Sequence, residues 1–317
     1  MVLHGPLDAV EHSSSACGGH PWVQLCQGID TIASTPRDVL RNVAAVRHIL
    51  EQIGLVPDSR GATIYGGAAD FMIRLNQRSN ATLDTIQSDW RNKFGAQTVG
   101  LWQDPLQIAS ALVFLGQSVS IRRYLEVGVW SAWTTVVLSA YASRLLPSPG
   151  FSGVASDLDD SHIAHSTRRA LRNLNVSFVP RNRLDAFLDL DEAPFDLCFI
   201  DASHSYKDVK EDYRHFAPQC RWTMFHDIND ATTLKLHKRH GGGVVGFWKQ
   251  LKAHVSPHRV VEFRVQSAPV NAPAFGIGVL APAASTGTAE PDGAPVADWP
   301  DLSGTVSNAS VYLDPGG

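Results

Sequence analysis

The stretch Tyr124–Thr135, with the sequence YLEVGVWSAWTT, is typical of a buried strand, a glycine turn and the start of a helix. Gly128 allows a sharp turn and a close approach of the backbone to a ligand. Ligands of open α/β sheets bind at the carboxyl ends of the strands, so this turn is a candidate binding site. A glycine at such a turn is also common without a ligand.

Downstream of this turn, short apolar runs alternate with helical patterns, as in βαβ units. This alternation predicts an α/β fold with a doubly wound, seven-stranded, mostly parallel sheet, in which the last two strands pair in antiparallel fashion. The predicted strands are Arg123–Val127, Gly153–Asp157, Val176–Pro180, Phe195–Ile200, Arg221–His226, Val260–Val265 and Phe275–Leu280. Helices are predicted at Trp133–Ser143, Ser161–Leu174, Tyr206–Ala217 and Val244–His254, with a partly helical crossover over 181–193.

The segments before and after the predicted sheet lack its alternation of apolar runs and helical patterns. Residues 1–30 lack a period, and we expect a loosely ordered arm. Residues 31–118 contain two helix starts, at Thr35-Pro36 and Asp104-Pro105, and predict a helical extension that could support a homo-oligomer. The sheet domain is expected over 119–282, and the Ala- and Pro-rich residues 283–317 predict a disordered tail.

Composition narrows the class of protein. The 317 residues are 44% hydrophobic and 18% charged with a net charge of -4, so neither a nucleic-acid nor a membrane partner is expected. No apolar run approaches the ~18 residues of a membrane span, and we expect a cytoplasmic protein. The four cysteines form no C-x-x-C pair, which argues against a structural zinc site and a disulfide framework.

Carboxylates near the first two strand ends indicate the kind of cofactor. The first turn keeps only one glycine of a G-x-G-x-x-G pattern and places Glu126 beside it, which suits a ligand with an amine and a sulfonium better than a pyrophosphate. Asp157 closes the second strand, where a carboxylate can accept hydrogen bonds from a ribose diol. Alternatively, Asp157, Asp159 and Asp160 cap the next helix.

Four motifs together resemble a known family. They are Tyr124–Thr135, Ala155–Asp157, Phe195–Tyr206 (FDLCFIDASHSY) and Phe225–Ile228 (FHDI). In this order they are similar to class I S-adenosylmethionine-dependent methyltransferases, and most similar to the small-molecule O-methyltransferases of catechol and macrolide-sugar type. The similarity covers about residues 100–282. It implies O-methylation of a hydroxylated small molecule or sugar.

The resemblance also implies residue roles. S-adenosylmethionine is expected to contact Glu126, Gly128, Trp130, Ser131, Asp157, Trp102 and Gln103. His204 would be the general base, a role that suits an imidazole because it titrates near neutral pH. The family usually has a second glycine where Ala132 stands, and a carboxylate where His226 stands.

A metal site is predicted at the next two strand ends. Asp201 follows the fourth strand, and His226 and Asp227 close the fifth; adjacent strands lie about 4.8 Å apart. Two carboxylates and an imidazole suit Mg²⁺ or Mn²⁺, which would lower the pKa of a substrate hydroxyl and give Asp201 a catalytic role. Without metal, the carboxylates would cap helices and His226 would hydrogen-bond within the sheet end.

Other functions stay open from the sequence. The glycine-rich segment Lys235–Gly243 is either a mobile lid over the acceptor or a basic surface loop. The main alternative function is a cofactor-binding module without methyl transfer, acting in interaction or regulation. A metal-dependent phosphohydrolase would need more histidines on helices, and a nicotinamide oxidoreductase would need the missing glycines.

Overall fold

The computed structural model describes residues 22–54, 101–265 and 275–282, apart from residues 102, 147–149, 159, 162 and 190–192. The helices are α1 (Trp22–Ser34), α2 (Arg37–Leu40), α3 (Val43–Gly54), α4 (Pro105–Ser118), α5 (Trp133–Leu145), α6 (His165–Asn173), α7 (Arg181–Asp189), α8 (Tyr206–Phe216), α9 (Ala231–Leu236) and α10 (Gly243–His254). The strands are β1 (Arg123–Val127), β2 (Ser152–Asp157), β3 (Val176–Pro180), β4 (Phe195–Ile200), β5 (Cys220–Phe225), β6 (Val260–Phe263) and β7 (Ile277–Leu280). Predicted and observed strands agree to within two residues at each end.

The described strands form one seven-stranded sheet in the order β3-β2-β1-β4-β5-β7-β6. Strands β1 to β5 are parallel to one another, whereas β7 is antiparallel to both β5 and β6. The predicted α/β class, the doubly wound sheet and the antiparallel last pair are confirmed. The chain reverses direction across the sheet between β1 and β4, so their carboxyl ends flank the crevice where ligands of such sheets bind.

The start of α4 shows how local sequence fixes an element beside that crevice. Asp104 is the N-cap, and its carboxylate accepts hydrogen bonds from the backbone N–H groups of Leu106 and Gln107 at 2.9 and 3.1 Å. Pro105 occupies the first helical position, where no N–H is needed. This cap ends the preceding segment sharply and holds Gln103 at the edge of the sheet.

The N-terminal helices differ from the expectation in one respect. Helix α1 begins at Trp22, inside the segment expected to be loosely ordered, and its buried Leu25 and Ile32 join the core that α3 and α5 share. Tertiary burial stabilises this helix although the local pattern is weak. Residues 1–21 and 283–317 lie outside the described residues, and the predicted homo-oligomer stays a prediction.

The cysteines correct a second expectation. Cys198 on β4 and Cys220 on β5 form a disulfide, and Cys26 is also disulfide-bonded. The pairing was missed because cysteines 22 residues apart become neighbours only when the two strands pair. The expected cytoplasmic location stays a prediction. Among the described residues, none of the helices combines the length and the apolar character that a membrane crossing requires.

Candidate functional site

The turn between β1 and α5 is held in an uncommon backbone conformation. Gly128, Trp130 and Ala132 all have positive φ, at 91°, 48° and 62°. Two of the three are not glycine, and such residues cost on the order of 1 kcal/mol each in this region. The positive φ at Ala132 gives a physical reason for the glycine that the resembling family has there. The structure therefore tolerates strain at this turn, as binding sites commonly do.

Asp157 at the end of β2 is bound directly to this turn. One carboxylate oxygen accepts the backbone N–H of Trp130 at 2.7 Å, and the other accepts that of Leu158 at 2.7 Å. A carboxylate has further lone pairs, so Asp157 can still accept hydrogen bonds from a ligand. The side chain of Leu158 is 82% exposed, which is unusual for a leucine. A carboxylate and an apolar surface thus adjoin at one strand end, as a nucleoside requires.

Glu126 lies beneath the turn, without access to solvent. Its carboxyl accepts a hydrogen bond from the hydroxyl of Tyr124 at 2.6 Å, and both side chains are buried. Burial raises the pKa of Glu126 to about 8, so the side chain is neutral at neutral pH. A neutral, enclosed carboxyl offers no charge to a sulfonium. Direct contact between Glu126 and a cofactor stays a prediction, and a structural role is favoured.

A continuous polar network joins the ends of β4 and β5. The side-chain amide of Gln103 donates to Asp201 Oδ2 at 3.0 Å, and Asp201 Oδ1 lies 3.3 Å from Nδ1 of His226. The same Nδ1 lies 3.3 Å from Asp227 Oδ1, and Asp227 Oδ2 lies 3.2 Å from Nε2 of His204. The structure therefore brings together all four residues predicted at the chemical end of the site, and adds Gln103.

The two histidines of this network differ in their surroundings. His226 is buried between the rings of Phe199 and Phe275, the latter stacked at 5.5 Å. Burial alone would lower the pKa of His226, but the carboxylates of Asp227 and Asp201 outweigh it and raise the pKa to about 9. His204 is 46% exposed. His226 is therefore a fixed internal cation at neutral pH, while His204 can reach a substrate.

The predicted metal ligands Asp201, His226 and Asp227 lie together at the ends of β4 and β5, with Nδ1 of His226 3.3 Å from an oxygen of each carboxylate. A metal-binding role for His226 stays a prediction. An overlapping set is also close enough to share an ion, because Asp201, His204 and Asp227 each offer a ligand atom and these atoms lie within 4.8 Å of one another. Two carboxylates and one imidazole with an open side suit Mn²⁺ or Mg²⁺.

The predicted cofactor residues fall into three groups. Gly128, Trp130, Ser131 and Asp157 belong to the turn and the adjoining strand end, and Ser131 is buried there. Gln103 contacts Asp201, and its amide oxygen also accepts a hydrogen bond from the hydroxyl of Thr134. Trp102 lies outside the described residues. No residue role at a cofactor is tested by these contacts, so the roles stay predictions.

Sequence patterns missed two residues of the site. Phe275 has a φ of 59° and stacks on His226, and Gln107 on α4 accepts the backbone N–H of the adjacent Gly276 at 2.8 Å. A buried glutamine on an otherwise apolar helix was the available signal for Gln107. Nothing in the local sequence indicates that Phe275 covers His226, because that contact joins segments about fifty residues apart.

Comparisons with known proteins found one matching family model and several similar solved structures. Residues 125–228 match the model of a family described as a methyltransferase domain. Among solved structures, the chain is similar to the O-methyltransferase TomG from Streptomyces achromogenes, with 17% identity, 75% of this chain and 96% of that chain covered, and a TM-score of 0.44. It is also similar to the O-methyltransferase from Bacillus cereus, with 19% identity, 69% and 98% coverage, and a TM-score of 0.44.

These two structural similarities are too distant to carry an argument about activity. No curated protein matches the chain. The match to the methyltransferase-domain model supports the prediction for residues 125–228, and the bounds 119–282 stay a prediction.

Proposed function

We propose that this chain, whose residues 125–228 match a methyltransferase-domain model, transfers a methyl group from S-adenosylmethionine to a hydroxyl of a small molecule. The observation that carries the proposal is the pairing of a half-exposed His204 with the buried Asp227 at the carboxyl edge of the sheet. A histidine held by a carboxylate beside a ligand crevice is suited to taking a proton from a hydroxyl.

Residues at the first two strand ends support the choice of cofactor. Asp157 can accept hydrogen bonds from the ribose hydroxyls, and the exposed Leu158 offers an apolar surface for the adenine ring. The positive-φ turn at Gly128 and Trp130 lets the backbone approach the methionine part closely. When bound, the cofactor supplies a methyl group on a positively charged sulfur.

The chain's own contribution to the reaction is proton removal and positioning. Because Nε2 of His204 is engaged by Asp227, Nδ1 is the ring nitrogen left to accept the acceptor's hydroxyl proton. Asp227 then stabilises the imidazolium that forms, and the acceptor oxygen becomes the nucleophile for the methyl carbon. Methyl transfer needs mainly an in-line approach, so much of the rate comes from holding the reactants in place.

The deciding experiment compares binding with turnover. In His204→Ala, we expect calorimetric affinity for S-adenosylmethionine to be unchanged and transfer of labelled methyl groups to a panel of hydroxylated acceptors to fall by roughly 10²- to 10⁴-fold. His215→Ala is a matched control, because His215 is 43% exposed and lies 3.0 Å from Asp185, away from the site. Wild-type protein that binds the cofactor and methylates no acceptor would indicate the cofactor-binding module instead.

Metal assistance is the second candidate, because Asp201, His204 and Asp227 could hold a divalent cation. Such a cation would lower the pKa of the acceptor hydroxyl, and His204 would be a ligand and not the base. The two candidates therefore differ in their response to a chelator. If metal assists, EDTA abolishes turnover and added Mn²⁺ or Mg²⁺ restores it; if His204 is the base, EDTA has no effect.

A further inference from the structure

Beside the proposed base lies a segment with an unusual concentration of positive charge. The chain as a whole has more acidic than basic residues, yet no aspartate or glutamate occurs between Asp230 and Glu262. Within that stretch, Lys235, Lys238 and Arg239 fall in five consecutive residues. We call residues 235–240 the basic segment; it spans the end of α9 and a short 3₁₀ turn.

The basic segment is fixed against the loop that carries His204. A Cβ placed on Gly243 would lie 2.6 Å from the carbonyl oxygen of His204 and 3.3 Å from Cβ of His237. A Cβ on Gly241 would lie 2.7 Å from the ring of Tyr206. The three glycines at 241–243 all have positive φ, and the N–H of Gly242 donates to the carbonyl of His237 at 2.9 Å. The segment is therefore joined to the loop of His204 through His237 and the three glycines that follow it.

The cations of this segment are available to a ligand. Lys235, Lys238, Arg239 and His240 are exposed. Within the part of the chain that the structure describes, no carboxylate pairs with Lys235, Lys238 or Arg239, although other surface cations such as Arg47, Arg181 and Lys252 have acidic partners. Burial, together with the nearby His204 and His240, lowers the pKa of His237 against the opposing charge of Asp208.

We propose that the hydroxylated acceptor carries an anionic group, a carboxylate or a phosphate, which the basic segment binds while the hydroxyl faces His204. This inference rests on the proposed function, because it assigns the acceptor to the same site. Unpaired cations at the rim of a crevice attract anionic ligands and raise their local concentration. Lys238 and Arg239 are consecutive in the chain, and both guanidinium and ammonium groups donate charge-assisted hydrogen bonds to the oxygens of carboxylates and phosphates.

The test uses benzoate and inorganic phosphate as probes, titrated into the full-length protein by NMR with and without S-adenosylhomocysteine. We expect saturable binding in the wild type, weakened roughly threefold to twentyfold in Lys238→Gln/Arg239→Gln. Arg172→Gln/Arg183→Gln is the matched control, because it removes two exposed cations from α6 and α7 on the other half of the sheet. The control should bind both probes as the wild type does.

Each outcome decides the proposal. Binding of phosphate alone, or of benzoate alone, supports it and identifies the anionic group. Equal affinity in the double variant and the control, or no saturable binding of either probe, overturns it. A wild type that fails to bind S-adenosylhomocysteine contradicts the proposed function separately, since the titration without that ligand still measures the basic segment.

A second experiment tests whether the basic segment also favours an anionic acceptor in turnover. The transfer of labelled methyl groups is measured with 3,4-dihydroxybenzoate and with 3,4-dihydroxybenzamide as acceptors. In the wild type, we expect a higher kcat/KM for the carboxylate than for the amide. In Lys238→Gln/Arg239→Gln this preference should disappear, while the rate with the amide is unchanged. A preference that persists in the variant contradicts the proposal.

Discussion

The side-chain amide of Gln103 donates a hydrogen bond to the carboxylate of Asp201 at 3.0 Å, joining residues 98 positions apart. The amide oxygen of Gln103 is engaged by the hydroxyl of Thr134 on α5. The segment before α4 thus holds one end of the polar network whose other end is His204. Both oxygens of Asp201 are engaged, one by Gln103 and one by His226, so its carboxylate has a defined orientation.

Replacing Gln103 tests this link. Gln103→Leu leaves buried oxygens of Asp201 and Thr134 without that partner, so we expect a loss of about 1–3 kcal/mol in the free energy of unfolding and a fall in turnover. Urea denaturation and the labelled-methyl assay measure the two effects. The exposed Gln52→Leu, on α3, is the control and should change neither. Unchanged stability and turnover in Gln103→Leu would show that the contact has no role.

Asp157 is expected to decide cofactor affinity. Asp157→Ala removes the acceptor for the Trp130 N–H and the proposed partner of the ribose, so affinity for S-adenosylmethionine should fall by roughly 10- to 100-fold or more. Isothermal calorimetry measures the change, and Asp185→Ala, an exposed carboxylate on α7, serves as control. Undiminished affinity in Asp157→Ala would mean that the cofactor is wrongly placed.

The buried Glu126 predicts a pH dependence of stability. Its pKa is raised from 4.5 to about 8 in the folded protein, so the folded state retains a proton that the unfolded state loses. The contribution of this retained proton to the free energy of unfolding is fully present below pH 4.5. It is lost as pH rises towards 8, by roughly 1 kcal/mol for each pH unit. Urea denaturation between pH 5 and pH 8 should show this decline.

Glu126→Gln should flatten that decline below pH 6.5, because a glutamine mimics the neutral carboxyl and cannot ionise. Above pH 6.5 the variant should still lose stability, since the pKa of His226 is raised from 6.5 to about 9 and its retained proton contributes a second decline. Glu51→Gln, which removes a partly exposed carboxylate paired with Arg47, should leave the slope unchanged. The same slope in Glu126→Gln as in the wild type would assign the pH dependence to another group.

Gly243 is expected to be intolerant of any side chain. Its φ is 63°, and a Cβ would lie 2.6 Å from the carbonyl oxygen of His204, so Gly243→Ala must displace the loop that carries the proposed base. A displacement of this kind can cost on the order of 10²-fold in rate, and we expect a loss of that order in turnover with cofactor affinity retained. Gly150→Ala is the control, since a Cβ there meets no atom within 4 Å. Equal turnover in the two variants would exclude a role for this packing.

Local patterns predicted most of the fold for a physical reason. The strands β1 and β4 are short runs of almost fully buried residues, and α4 and α8 have capped starts at Asp104 and Ser205. Such signals lie within a few residues and need no tertiary information. Helix α1 and the disulfide between Cys198 and Cys220 depend on distant partners, and both were missed.

The sequence alone determined three features of the site, because each follows a strand whose end the pattern predicts. They are the glycine turn at Tyr124–Thr135, the carboxylate at Asp157, and the order of Asp201, His204, His226 and Asp227 along the chain. Only the tertiary structure decided their chemical states. Burial made Glu126 neutral, two flanking carboxylates raised the pKa of His226, and the contact with Asp227 oriented His204. Charge and proton affinity depend on what surrounds a side chain in space, and the sequence orders residues without fixing those distances.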